Sequence, residues 1–178
     1  AKYSAERERS VGLGVMGFHS FLQKHRIPLE SVMAKSWNKK IFKQIDEQVN
    51  KASKDLAEER GACPDAAEYG FKERFSNKTA IAPTASISII CGGASPGVEP
   101  IAANSYTHKT LSGSFNVRNR YLEEILESHG KNDDETWSTI TTNQGSVSHL
   151  DFLTDLEKDV FKTAFELNQK WIIELSGD

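Results

Sequence analysis

The sequence predicts a helix-rich α/β fold. The longest amphipathic pattern runs from Ser31 to Arg60, where apolar residues recur every three or four positions, as on one face of a helix. Two shorter runs are typical of strands, because Ala80 to Ala82 is apolar and Asn104 to Thr110 alternates between two faces. With 178 residues, of which 38% are hydrophobic, the chain is long enough for one domain with a buried core.

Composition argues against several classes of partner. Lysine and arginine total 22 against 25 aspartates and glutamates, a net charge of −3, so no overall basic surface for nucleic acid is expected. The two cysteines, Cys63 and Cys91, have the spacing of neither a zinc motif nor a redox pair. No run reaches about 18 apolar residues, and the N-terminus carries no hydrophobic signal segment. We therefore expect a reduced, cytoplasmic protein with no membrane partner.

The N-terminal region contains a glycine pattern with two meanings. Residues 12–17 fit G-x-G-x-x-G, which binds dinucleotides when it follows a hydrophobic strand. Here charged residues 6–9 precede it, and Val11 to Leu22 carries apolar residues at helical spacing. We therefore predict a helix whose glycines allow close packing, with a nicotinamide or flavin site as the alternative. His19 is predicted to be a surface or hydrogen-bonded side chain, since no ligand residue lies at metal-binding spacing.

The amphipathic pattern from Ser31 to Arg60 predicts one long helix. Its charged residues form a solvated face that includes the i, i+4 pair Lys43 and Glu47. Gly61 is expected to stop the helix, and Cys63 to be small and half-buried. The apolar face is predicted to contain Trp37, Ile41, Ile45, Val49, Ala52 and Leu56.

The C-terminal half is predicted to be mostly helical. Phe115 to Val117 is expected to lead into a helix, and Asp133 or Asp134 to cap the next one. T-D-L-E at 154–157 is a capping box. A last helix is predicted from Val160 to Gly177.

The stretch from Lys78 to Pro100 carries the strongest functional signal. Pro83 ends the apolar run before it, because proline has no N–H to donate to a ladder. The small residues from Thr84 to Ser88 would expose consecutive backbone N–H groups at the start of a helix, an arrangement that binds phosphate. The same residues also fit a capped loop with no ligand. On the residues alone, both interpretations stay open.

Several sequence blocks resemble the large, catalytic subunit of class I ribonucleotide reductases. The blocks are R-S-V-G-L-G-V-M-G-F, A-P-T-A-S-I-S, G-V-E-P, N-S-Y-T-H-K-T-L-S-G-S-F and N-Q-G-S-V. They follow the family's order and span nearly the whole chain. The resemblance implies a partial ten-stranded α/β barrel, with residues 1–178 as a single helix-rich segment of the catalytic barrel domain, truncated at both ends.

The resemblance also implies an enzyme, a ribonucleoside-diphosphate reductase that makes deoxyribonucleotides for DNA synthesis by thiyl-radical chemistry. The family is nucleotide-binding, ATP-binding and allosteric. Its implied partners are a ribonucleoside diphosphate substrate, a second large subunit in a homodimer, a small (beta) radical-generating subunit, and thioredoxin or glutaredoxin. A metal cofactor in the small subunit would generate the radical and a thiol reductant would supply electrons, while this segment would bind neither cofactor nor metal.

The family's catalytic residues are expected outside this chain. The radical cysteine belongs to an upstream N-x-C-x-E block, and paired tyrosines and a cysteine pair belong downstream. Cys91 is therefore given no catalytic role, and the isolated segment is expected to be inactive. This chain would supply the substrate phosphate-binding loop, formed by Thr84, Ala85, Ser86, Ile87 and Ser88. Ile87 replaces the Ser or Thr of many relatives, which leaves its N–H as the donor.

Residues near the loop in sequence are given supporting roles. The resemblance places Asn77 beside the loop. Glu99 is expected to hold backbone N–H groups or a basic side chain, because a carboxylate repels phosphate. His108 and Lys109 would add positive charge or simply face solvent.

Two alternative functions remain open. They are a cobalamin-dependent (class II) reductase, which shares the loop and barrel, and a non-catalytic helical scaffold or interaction module.

Overall fold

A computed structural model describes residues 1–111 and 113–177. The chain divides into two compact units: unit 1 contains Ala1–Val15 and Ser36–Ala82, and unit 2 contains Met16–Lys35 and the chain from Pro83 onward. In chain order the elements are α1 (Lys2–Glu8), α2 (Phe18–Lys24), α3 (Val32–Arg60), α4 (Pro64–Glu68), α5 (Ala85–Ile90), β1 (Ser105–Thr110), β2 (Gly113–Arg118), α6 (Arg120–Ser128), α7 (Asp134–Thr142), α8 (Asp155–Val160) and α9 (Gln169–Gly177).

Helix α3 confirms the long amphipathic pattern. It begins at Val32 and ends at Arg60, followed by Gly61 at φ +80°. Most of the predicted apolar face is half-buried, but Ala52 is exposed and the adjacent Ser53 is fully buried. The burial of Ser53 is possible because its hydroxyl accepts a hydrogen bond from the Arg74 N–H at 3.1 Å. Among the described residues, no helix has both the length and the apolar character needed to cross a membrane.

The helix predicted from Val11 to Leu22 is confirmed only from Phe18, where α2 begins, and is wrong for residues 11–17. The Val11 N–H donates to the Asn77 carbonyl, and the Leu13 N–H to the Lys78 carbonyl, each at 3.0 Å. Leu13 and Thr79 thus form an isolated parallel β-bridge. The strand predicted from Ala80 to Ala82 does not form. The apolar spacing fitted a helix by coincidence, because pairing with a segment distant in sequence satisfies this backbone instead.

Gly12 and Gly14 permit this close pairing. A Cβ on Gly12 would lie 2.8 Å from the Cβ of Ala80, and a Cβ on Gly14 would lie 2.5 Å from the Ala80 carbonyl oxygen. The two glycines therefore allow two extended backbone segments to lie close together, and they do not serve helix packing as predicted. They lie within the paired segment and do not follow a strand, as a dinucleotide-binding turn requires.

Unit 2 has its core among α6, α7, α8 and the turns that join them. The predicted caps are confirmed: the Asp133 carboxylate accepts from the Thr136 N–H at 2.7 Å, and Thr154 and Glu157 form the reciprocal capping box. The core comprises Leu122, Ile125, Leu126, Trp137, Ile140, Val147, Leu150, Leu153, Val160 and Phe161.

The helix predicted to follow Phe115–Val117 is confirmed as α6, and residues 115–117 themselves lie in β2, which pairs antiparallel with β1, with Ser105 opposite Arg118. The prediction of one continuous last helix from Val160 to Gly177 fails. The last helix is interrupted after Val160 and resumes at Gln169. The break is stabilised because the Glu166 carboxylate accepts from both the N–H and the hydroxyl of Thr163, at 2.8 and 2.9 Å.

Candidate phosphate-binding site

The loop centred on Thr84 has an unusual backbone conformation. Thr84 has φ +49° and ψ 27°, the left-handed region, directly before α5 begins at Ala85. Its hydroxyl does not cap α5. Instead, the Thr84 Oγ1 accepts a hydrogen bond from the Gly97 N–H at 2.7 Å. The N-terminus of α5 is therefore left without a side-chain cap.

Three consecutive backbone N–H groups are available at this uncapped end. The first amide of α5 with an internal acceptor is that of Ser88, which donates to the Thr84 carbonyl at 2.8 Å. The preceding amides belong to Ala85, Ser86 and Ile87, all exposed, and none has an acceptor among the described residues. Amides at a helix start carry partial positive charge, so an uncapped end of this kind is chemically suited to an anion.

The side chains of the loop do not all face this end. Ser86 is exposed and its hydroxyl makes no hydrogen bond with any described residue. Ser88 is 4% exposed, and its hydroxyl donates to the Ala85 carbonyl at 2.9 Å. Ile87 is 55% exposed. The predicted residues are thus contiguous in space, but Ser88 is turned inward.

Residues after α5 hold the loop from one side. The Ser88 carbonyl accepts from the Gly93 and Ala94 N–H groups at 3.0 and 3.1 Å. The predicted turn at 92–97 is therefore folded against both ends of α5, since Gly97 bonds to Thr84. Glu99 is exposed, and its carboxylate makes no hydrogen bond or ion pair with a described residue. The role expected for Glu99 is not seen.

His19 of α2 contacts the same region and is buried. It is 2% exposed, and its Nδ1 accepts from the Ile101 N–H at 2.9 Å. Burial lowers the pKa of His19 to about 4, so the ring is neutral at pH 7. The hydrogen-bonded alternative for His19 is confirmed, although sequence offered no indication of its partner.

The remaining candidates belong to other elements. Asn77 is in unit 1, where its amide donates to the Ser10 hydroxyl at 3.1 Å. His108 and Lys109 lie on β1. Cys91 is exposed, whereas Cys63 is fully buried and not half-buried as predicted. No cluster of three or more metal-binding side chains occurs in residues 1–111 and 113–177.

The sequence and the fold both match known proteins. A family model described as "Ribonucleotide reductase, barrel domain" matches residues 1–73 and 65–178. The ribonucleoside-diphosphate reductase large subunit of Invertebrate iridescent virus 6 is 48% identical over 179 residues, covering 98% of this chain and 18% of the relative. The vitamin B12-dependent ribonucleoside-diphosphate reductase of Thermoplasma acidophilum is 35% identical, covering 92% of this chain and 22% of the relative.

A solved structure gives the same result for the fold. The class Id ribonucleotide reductase alpha subunit of Actinobacillus ureae superposes with a TM-score of 0.89 at 40% identity, covering 99% of this chain and 32% of the other. The predicted partial α/β barrel is thus confirmed, and the cobalamin-dependent alternative is not favoured. The chain spans between about a fifth and a third of the length of these proteins. The chain belongs to the ribonucleotide reductase barrel-domain family.

Proposed function

We propose that this chain is part of a ribonucleoside-diphosphate reductase large subunit and holds the phosphates of the substrate in the loop Thr84–Ser88. The observation that carries the proposal is the set of three consecutive amides at the uncapped start of α5, at the exposed residues Ala85, Ser86 and Ile87, which have no acceptor among the described residues. Family membership supports the activity, because the relatives described above bear the name of this reductase or of its subunit.

The proposed chemistry is binding and orientation. The three amides and the Ser86 hydroxyl would donate to phosphate oxygens, and such charge-assisted bonds are stronger than neutral ones. The hydroxyls of Thr84 and Ser88 already bond within the protein, so they would shape the loop. Fixing the phosphates fixes the ribose, and positioning of this type can lower a barrier by several kcal/mol.

The other parts of the reaction are proposed to lie outside this chain. In the parent enzyme a cysteine thiyl radical would abstract a hydrogen from the ribose, and a cysteine pair would supply electrons, renewed by thioredoxin or glutaredoxin. The radical would originate at a metal cofactor of a small (beta) subunit, and the large subunits would form a homodimer under allosteric control by ATP. The enzyme would act in the cytoplasm on ribonucleoside diphosphates.

A charge substitution at Ile87 tests the loop. Because Ile87 is 55% exposed in the first turn of α5, both Ile87→Asp and Ile87→Asn should fold. An aspartate there would repel phosphate, whereas asparagine has nearly the same shape without the charge. We expect the aspartate variant to bind inorganic pyrophosphate and cytidine diphosphate at least about tenfold more weakly than the asparagine variant. Equal affinities in calorimetric titrations would refute the assignment, and a wild-type protein that binds neither compound would favour the non-catalytic scaffold.

A further inference from the structure

Two buried serines, separated by 75 positions in the sequence, bond to each other's backbone. The Ser95 N–H donates to the Ser20 hydroxyl at 2.8 Å, and the Ser20 N–H donates to the Ser95 hydroxyl at 3.3 Å. The Gly17 N–H also donates to the Ser95 carbonyl at 2.8 Å. Residues 17–20, at the start of α2, therefore fix both the amide and the carbonyl of Ser95.

Residues 93–97, which we call the brace, extend from this anchor to both ends of α5. On one side of Ser95, Gly93 and Ala94 donate to the Ser88 carbonyl in the second turn of α5. On the other side, Gly97 donates to the Thr84 hydroxyl directly before α5. The position of α5 is thus coupled to α2 through Ser95.

Helix α2 is itself held firmly within unit 2. The side-chain oxygen of Gln23, a fully buried residue, accepts from the Asn119 amide at 2.9 Å. Arg26 donates to the Tyr121 carbonyl at 3.0 Å. These bonds tie the C-terminal end of α2 to the start of α6, so its N-terminal turn is a fixed support for Ser95.

The loop needs such support. Helix α5 has six residues and no side-chain cap, and helices this short are not stable by themselves. Its amides can bind an anion with useful affinity only if their directions are set before binding. We infer that Ser20 and Ser95 are positioning residues that set the phosphate affinity of the loop Thr84–Ser88 through the brace. The inference rests on the proposed function of that loop.

The test uses the longest natural polypeptide that contains this chain, with inorganic pyrophosphate as the probe in calorimetric titrations. Ser20→Ala and Ser95→Ala each remove one hydroxyl of the pair. The matched control is Ser53→Ala, because Ser53 is also fully buried and also accepts a backbone N–H, but belongs to unit 1. We expect the first two variants to weaken pyrophosphate binding by about five- to tenfold and the control by less than about twofold, at similar losses of thermal stability.

Hydrogen exchange in the wild-type protein gives a second readout if a variant does not fold. Saturating pyrophosphate should slow exchange of the Ser95 and Gly97 amides, because opening the brace would release the ligand. Unchanged exchange at both amides, or variant affinities equal to that of Ser53→Ala, would overturn the inference. If the wild type binds pyrophosphate and only Ile87→Asp weakens binding, the phosphate-binding role of the loop is supported. The positioning role of Ser20 and Ser95 is then refuted. If the wild type binds neither pyrophosphate nor cytidine diphosphate, the proposed function of the loop and the role of the brace are both refuted.

Discussion

Nδ1 of His19 accepts the backbone N–H of Ile101 across 2.9 Å, in a site where the histidine is 2% exposed. With Nδ1 as the acceptor, the ring proton of the neutral form lies on Nε2. A second proton would have to enter at Nδ1, where it would oppose the Ile101 N–H. The bond and the burial thus both require neutral His19.

Stability should therefore depend on pH through His19. Its pKa is lowered from 6.5 to about 4, so between these values the unfolded chain binds a proton that the folded chain does not. The contribution is nil above pH 6.5 and destabilises the fold progressively as the pH falls, by up to roughly 3 kcal/mol at pH 4. Urea unfolding at several pH values measures this loss. In His19→Asn, whose oxygen can replace Nδ1, the loss should shrink, and an unchanged pH slope would contradict the prediction.

Gly12 and Gly14 should differ in whether a substitution can be rescued. Alanine at either position should destabilise the protein by about 1 to 3 kcal/mol, because each Cβ would overlap Ala80. At Gly12 the overlap is with the Ala80 Cβ, so Ala80→Gly should restore part of the loss. At Gly14 the overlap is with the Ala80 carbonyl oxygen, so Ala80→Gly should not help. Chemical denaturation of the single and double variants tests this, and equal rescue of both would refute it.

Asn104 should tolerate no change of its amide. It is 1% exposed, and its Nδ2 donates to the Gly145 and Phe161 carbonyls at 2.9 and 2.7 Å. In Asn104→Asp a buried carboxylate would face both carbonyl oxygens, at an expected cost of at least about 3 kcal/mol at pH 7. Asn143→Asp is the control, since Asn143 is exposed and its amide also donates to a carbonyl. Thermal unfolding of the two variants should differ strongly, and equal losses would count against this account.

The capping box at the start of α8 should be worth about 1 kcal/mol. Thr154 accepts from the Glu157 N–H at 3.3 Å through its hydroxyl, and its own N–H donates to the Glu157 carboxylate at 2.8 Å. Thr154→Ala removes the hydroxyl, whereas Thr154→Ser keeps it and serves as the matched control. The alanine variant alone should lose stability in urea unfolding. A loss of the same size in the serine variant would show that the methyl group, and not the cap, matters.

Local signals were sufficient for several elements. Local sequence predicts the caps at Asp133 and Thr154 and the helix from Val32 to Arg60. The interacting residues lie within a few positions of one another, so the capping pattern and the helical periodicity can be recognised directly in the sequence. The short helix start at Thr84–Ser88, the candidate loop, was predicted in the same way, from small residues after Pro83. Its ligand remains a prediction.

Tertiary structure decided what local signals could not. Val11 to Leu22 has helical spacing, yet Leu13 pairs with Thr79, and the last helix breaks where the Ala164 N–H donates to the distant Ile101 carbonyl. In the loop, the inward turn of Ser88 and the bond from Gly97 to Thr84 depend on a segment held by α2.

The sequence by itself determined the family, the helix-rich character and the place of the candidate loop, because each depends on short patterns of contiguous residues. Only the tertiary structure decided which amides of the loop lack an acceptor among the described residues and which contacts hold the loop. The reason is physical: the Ser20–Ser95 and His19–Ile101 bonds join residues 75 and 82 positions apart, and a backbone group takes the partner that folding brings to it.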